Sequence, residues 1–117
     1  MDGLDPDVLR VVEKPWGREI WWAVTDHYLG KRLEVRAGAS LSLQFHRWKV
    51  ETLYLHAGRI RLHLGGRAGE LPVGAAVTIL PGTIHRVEAL HDSVLFEVST
   101  PHPEDVVRLE DDYGRAP

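Results

Sequence analysis

The chain has 117 residues, 44% of them apolar and 26% charged, with a formal net charge of −3 and no cysteine. That is enough for one domain with its own core; it excludes disulfides and thiolate ligands and leaves no basic footprint for nucleic acid. No apolar run reaches the roughly 18 residues a bilayer-spanning helix needs, and the acidic, polar opening MDGLDPDVLR does not read as a signal peptide, so a cytoplasmic protein without membrane contact is expected.

A single domain over 1–117 is expected, with a loose lead-in at 1–10 and a polar tail at 103–117. Pro15 and Gly17 mark a turn around Trp16. Residues 18–25, rich in β-branched and aromatic side chains, predict a strand, and 28–36 a second one with Lys31, Leu33 and Val35 on one face. A strand over 40–46 follows, then 51–56 and 59–64, the last alternating Ile60, Leu62 and Leu64 with Arg59, Arg61 and His63. Shorter strands are expected at 69–73 and 76–80, a longer one at 83–90, and a final clear one at 93–99. Pro103 opens a predicted helical turn over 104–109. About nine short strands with turn signals between them and little helix argue an all-β sandwich or barrel.

The chemistry concentrates between Gly38 and Gly58. Period two places Leu41, Leu43 and Phe45 on one face of the 40–46 strand and Ser42, Gln44 and His46 on the other. Glu51 follows His46 after a four-residue turn and, if the chain folds back antiparallel, lies close to Gln44 and His46. His85 arrives later, in Pro81-Gly82-Thr83-Ile84-His85. Two nitrogen and two oxygen donors, Gln44, His46, Glu51 and His85, are a set that closes around one divalent ion. Zn²⁺ is the leading fit, with Fe²⁺, Mn²⁺, Ni²⁺ and Co²⁺ compatible with the same donors. The remaining histidines, His27, His56, His63, His91 and His102, read as surface or packed residues.

The spacing Gly38…Gln44-x-His46…Glu51…Gly58 resembles the first cupin motif, and Gly74 followed by Pro81-Gly82-Thr83-Ile84-His85 resembles the second. Gln44 stands where many cupins carry a first histidine, the motif proline is displaced by one, and Ala89 stands where an asparagine is usual. Within the cupins the chain is most similar to the isomerase domain of type II mannose-6-phosphate isomerases, often fused to a mannose-1-phosphate guanylyltransferase. The similarity runs from Lys14-Pro15-Trp16-Gly17, through Lys31-Arg32-Leu33-Glu34-Val35 and Leu41-Ser42-Leu43-Gln44-Phe45-His46, to Glu110-Asp111-Asp112-Tyr113-Gly114-Arg115. The family's histidine-rich loop is here Arg47-Trp48-Lys49-Val50, and Thr52-Leu53 replaces its His-Trp. The resemblance implies the cupin double-stranded β-helix, a jelly-roll sandwich or barrel, with Gln44, His46, Glu51 and His85 as metal ligands, acting without the nucleotidyltransferase half.

The implied reaction is aldose–ketose isomerisation of a sugar or sugar phosphate, in which the metal polarises a substrate oxygen and a base moves a proton between C1 and C2. Glu51, a hydroxide on the metal, and Lys31 are the candidate bases; Lys31 equally reads as an edge-strand lysine. Arg86 joins Glu51 and Lys31 as a candidate catalytic residue. Arg47 and Lys49 are candidate substrate cations or solvated charges, and Trp48 is a candidate platform for a sugar ring. Trp16, Trp21 and Trp22 read as core or interface, and the apolar face of residues 18–25 implies a homodimer. An iron-dependent cupin dioxygenase and a non-catalytic cupin binding a sugar or small acid are the alternatives.

Overall fold

A computed structural model describes residues 3–117. Among them eleven strands form: β1 (Arg10–Lys14), β2 (Gly17–Val24), β3 (Leu29–Val35), β4 (Leu43–Phe45), β5 (Glu51–Ala57), β6 (Ile60–Leu64), β7 (Arg67–Leu71), β8 (Ala76–Ile79), β9 (His85–Ala89), β10 (Ser93–Ser99) and β11 (Val107–Glu110). None of the described residues belongs to a helix long and apolar enough to cross a membrane.

Alternation decides which face of each strand is covered. In β3, Lys31, Leu33 and Val35 are buried while Arg32 and Glu34 are half-buried. β5 buries Glu51, Leu53 and Leu55, and β10 buries Ser93, Leu95, Glu97 and Ser99. The inward apolar side chains meet in one cluster that includes Trp16, Leu33, Leu53, Leu55, Ile60, Ile79 and Leu95. Each large side chain so buried contributes about 1.5–3 kcal/mol relative to exposure.

Two antiparallel sheets face each other across this core. The first runs β1-β2-β3-β10-β5-β8 and the second β11-β4-β9-β6-β7. No ladder joins them, so β1 and β8 remain edges of one sheet and β11 and β7 edges of the other. This corrects the expected double-stranded β-helix, a jelly-roll sandwich or barrel: the fold is all-β with two open sheets that do not close into a barrel. Inward–outward alternation is common to sandwiches and barrels, so the sequence pattern did not separate them. The hydrogen-bond ladders do. The chain changes layer repeatedly, for instance at β3→β4, β5→β6 and β7→β8, and the layers are held together by side chains.

Other expectations change too. The 40–46 strand shortens to β4, preceded by a single bridge from Ser40 to Glu88 and a bond from Leu41 N–H to the Val87 carbonyl. Residues 10–14 form β1, paired along its length with β2. The predicted helical turn at 104–109 is replaced by β11, because the free edge of β4 offers partners that a lone helical turn would lack, and Val106-Val107 favours extended backbone. β4 and β5 do not make a hairpin: they lie in different sheets.

Candidate metal centre

Glu51 therefore approaches His46 across the sandwich rather than along one ribbon. His46 follows β4 directly, and its carbonyl accepts the Gly82 N–H at 2.7 Å. Gly82 has φ +82°, a backbone conformation costly for residues with a Cβ. That turn delivers His85 to the start of β9, opposite Gln44 in the β4–β9 ladder. Glu51 opens β5 in the facing sheet.

His46, Glu51 and His85 are each 3% exposed or less. Their donor atoms all lie within 4.8 Å of one another. Nε2 of His46 and Nε2 of His85 each stand 3.1 Å from Glu51 Oε1. Donors sharing one ion at the usual ~2.0–2.2 Å sit about 3–3.5 Å apart, so the spacing suits a shared cation.

The far side of each ring fixes its lone pair. His46 Nδ1 donates to the Asp105 carbonyl at 2.5 Å, and His85 Nδ1 donates to the Thr83 carbonyl at 2.9 Å. A carbonyl only accepts, so Nδ1 is the N–H of each ring in its neutral form, which leaves Nε2 as the nitrogen able to ligate an ion beside the Glu51 carboxylate. His85 Nε2 is buried without a hydrogen-bond partner. Ligating nitrogens converging on a buried carboxylate suit a positive charge between them, and the donor set fits a divalent ion.

Glu51 is held ionised. Burial alone would raise its carboxyl, but with no ion bound, the Nε2–H groups of His46 and His85 and the charge of the Lys49 ammonium hold it well below the usual carboxylate range. Lys49 is buried, its Nζ 3.2 Å from Glu51 Oε2 and 3.5 Å from Glu97 Oε2. Burial opposes its charge, yet the Glu97 and Glu51 carboxylates raise its pKa above the ordinary lysine value. Burial and the neighbouring Glu51 charge push Glu97 up to about 7. Lys31, on interior strand β3, stands 3.7 Å from Glu19 and 4.3 Å from the Trp21 ring centroid. Its edge-strand reading is thereby set aside.

A cavity of about 100 Å³ meets the triad at His46 and is lined among others by Trp21, Lys31, Gln44, Lys49 and Arg108. Gln44 also borders a void of about 20 Å³ with Glu51 and His85, and its Oε1 accepts from Ser42 Oγ at 2.6 Å. Of the other expected site residues, Lys49 lines the cavity and Arg86 borders the small void. Lys49 is turned inward to the carboxylates rather than outward to solvent. Arg47 and Trp48 are exposed, Trp48 by 67%, and neither lines the cavity. Arg86 donates through Nε to the Leu41 carbonyl and reaches Asp112 at 3.4 Å, which ties it to the C-terminal segment.

The family described as mannose-6-phosphate isomerase, C-terminal, matches residues 5–111. The chain belongs to this family. Mannose-1-phosphate guanylyltransferase ManC of Salmonella typhimurium is 33% identical over 111 residues, covering 91% of the chain and 23% of that protein. The xanthan biosynthesis protein XanB of Xanthomonas campestris is 31% identical over 117 residues, covering 91% and 24%. The chain thus spans about a quarter of the length of the curated relatives it matches. Among solved structures, KdgF from Halomonas superposes with a TM-score of 0.73 at 21% identity, over 84% of this chain and 89% of that one, a likeness of fold. The chain is thus a mannose-6-phosphate isomerase C-terminal family domain with relatives in ManC and XanB.

Several residues of this mannose-6-phosphate isomerase C-terminal domain escaped the sequence reading. Glu97 lies in phase with buried Leu95 and Ser99, so the alternation of β10 already placed an acid inside. Trp21 was read as core or interface, yet it lines the cavity, where its indole N–H donates to Glu19 at 3.0 Å. Arg108 and Arg115 reach the cavity from the tail; Asp111 anchors Arg115 at 2.8 Å, and Arg108 Nε is buried without a partner. No local pattern in the tail announces these positions, because β11 is recruited by the edge of β4.

Proposed function

We propose that the chain is a metal-dependent isomerase of the mannose-6-phosphate isomerase type, interconverting the aldose and ketose forms of a sugar or sugar phosphate. The observation that carries this reading is the pair of buried Nε2 atoms, each 3.1 Å from Glu51 Oε1 and each on a ring anchored through Nδ1, with His46 lining a polar cavity. His46, Glu51 and His85, with Gln44 as a fourth donor, would hold the ion, which when bound supplies an electrophile for a substrate carbonyl or hydroxyl oxygen. Zn²⁺ suits this mixed nitrogen–oxygen set.

The chain's own groups divide the remaining work. Lys31 is buried and lines the cavity, which supports it, beside Glu51 and a hydroxide on the metal, as a group to carry a proton between adjacent substrate carbons. Arg108, with its unpartnered Nε, and Arg115 supply cations for a phosphate on the substrate. Trp16 and Trp21 wall the cavity and limit water. On the outer face of the six-stranded sheet, Trp22 (41% exposed), Val24 (61%) and Val98 (47%) form an apolar surface that we assign to a homodimer contact, checked by the mass in light scattering at micromolar concentration.

The test is interconversion of mannose 6-phosphate and fructose 6-phosphate by metal-loaded protein, with His46→Ala as the control. Turnover no greater than that of the variant sinks the assignment. A second reading rests on the triad itself: two histidines and one carboxylate are also the donor set of non-haem iron oxygenases. Oxygen uptake by the Fe²⁺-loaded protein with a small acid, absent with Zn²⁺, would favour it.

A further inference from the structure

Asp105 lies in the C-terminal segment, 59 residues after His46 and 20 after His85, yet it makes four bonds to His46 and the loop that follows it. Its carbonyl receives His46 Nδ1–H at 2.5 Å. Its carboxylate receives the backbone N–H of Arg47 at 3.0 Å, of Trp48 at 2.7 Å and of Lys49 at 2.9 Å. Residues 46–50 belong to no strand, so these three amides have no ladder to satisfy them, and the carboxylate does so with charge-assisted bonds.

We propose that Asp105 is a positioning residue for the metal centre, fixing the tautomer of His46 and the path of the loop to Glu51 from the segment that closes the cavity. The inference rests on the metal reading above. The carboxylate sets where the Asp105 carbonyl stands, and that carbonyl keeps the proton of the neutral His46 ring on Nδ1 and Nε2 toward Glu51. The same grip holds Lys49 at Glu51 Oε2, so that Oε1 is the oxygen left to face the two imidazoles. Pro103, Val106, Arg108 and Arg115 of this segment line the cavity. Ion binding and closure of the segment are therefore linked, and linkage is reciprocal.

The experiment uses Zn²⁺ alone as the probe. Zn²⁺ affinity is measured by competition with a chromophoric chelator for the wild-type chain, Asp105→Asn and Asp105→Ala, alongside Asp112→Asn, which loosens the same segment through Arg86 without touching His46. Loss of an outer partner of a ligating histidine typically weakens metal binding about 10- to 100-fold. That loss is expected for Asp105→Asn, with a changed Co²⁺ absorption spectrum, while Asp112→Asn stays within about threefold of wild type on the same scale. Zn²⁺ is expected to slow amide exchange of residues 103–110 in the wild type and not in Asp105→Asn. Should Asp105→Ala not fold, Asp105→Asn decides, since its amide still accepts at one oxygen. A folded Asp105→Asn protein with wild-type Zn²⁺ affinity and Co²⁺ spectrum overturns the inference, as does an equal loss in Asp112→Asn. A wild-type chain that takes up no metal overturns the metal reading and this inference together.

Discussion

Lys49→Met removes a cation that is 6% exposed and serves two carboxylates, at 3.2 Å from Glu51 and 3.5 Å from Glu97. At an effective dielectric near 20, unit charges at such distances attract by about 5 kcal/mol each. That is a gross figure, because burying each ion costs several kcal/mol of lost hydration. The net quantity is the cost of breaking the set while its anions stay inside, roughly 3–5 kcal/mol. Lys49 and Glu97 both border the cavity, where water softens the penalty. We therefore expect about 3 kcal/mol. In a domain of this size that lowers Tm by about 10 °C or more. The assay is urea unfolding of metal-free protein followed by tryptophan fluorescence, repeated at saturating Zn²⁺. A divalent ion on Glu51 replaces part of the lost positive charge, so Zn²⁺ should recover more stability in the variant than in the wild type. Adding Glu97→Gln to Lys49→Met should recover part of the loss well above pH 7, where Glu97 would otherwise be a stranded anion, and little below it. A metal-free loss below about 1 kcal/mol would refute the reasoning, showing that the carboxylates need no buried counter-ion.

Three further outcomes are expected. Arg108→Gln should raise KM for a phosphorylated substrate by about 10- to 100-fold, the worth of one hydrogen bond to a charged group, with kcat little changed; steady-state kinetics against the unphosphorylated sugar checks it. Gly82→Ala meets nothing within 4 Å but must adopt φ +82°, so it should cost about 1–2 kcal/mol in urea unfolding through backbone conformation alone. The Arg115 guanidinium holds the Asp111 carboxyl down to about 2 against an ordinary 3.8, outweighing the smaller effect of burial. Its contribution to stability is complete above the ordinary value and is lost as pH falls toward 2. The stability gap between wild type and Asp111→Asn should thus narrow as pH falls from about 5 to 2, and a gap that widens would contradict it.

Most of the strands and all three donors of the triad were legible in the sequence because alternation is a local property. Lys31 in phase with Leu33 and Val35 already pointed inward, and the Pro81-Gly82 turn already announced His85. Alternation also put Ser42, Gln44 and His46 on one face, but it did not say that this polar face is the better-covered one: Ser42 is 1% exposed, while Leu41, Leu43 and Phe45 are only half-buried. What alternation could not show depended on non-local partners. β11 exists because β4 has an edge to fill, and Lys49 turns inward because Glu51 and Glu97 wait on the facing sheet. Whether two alternating sheets close into a barrel is likewise a matter of which edges meet.

The openness of the two sheets has a chemical consequence. His46 and His85 belong to the five-stranded layer, whereas Glu51, Glu97 and Lys31 belong to the six-stranded one, so the centre is assembled across the core rather than within a closed wall. An open edge beside β4 leaves room for β11 to add on. That addition brings Asp105 against the back of His46 and Arg108 and Arg115 against the cavity. A sheet closed at β4 would satisfy its own backbone there and leave the tail no ladder to join. The strand that the sequence pattern missed is thus the one that delivers the cations proposed for the substrate and the residue proposed to hold the metal ligand in place.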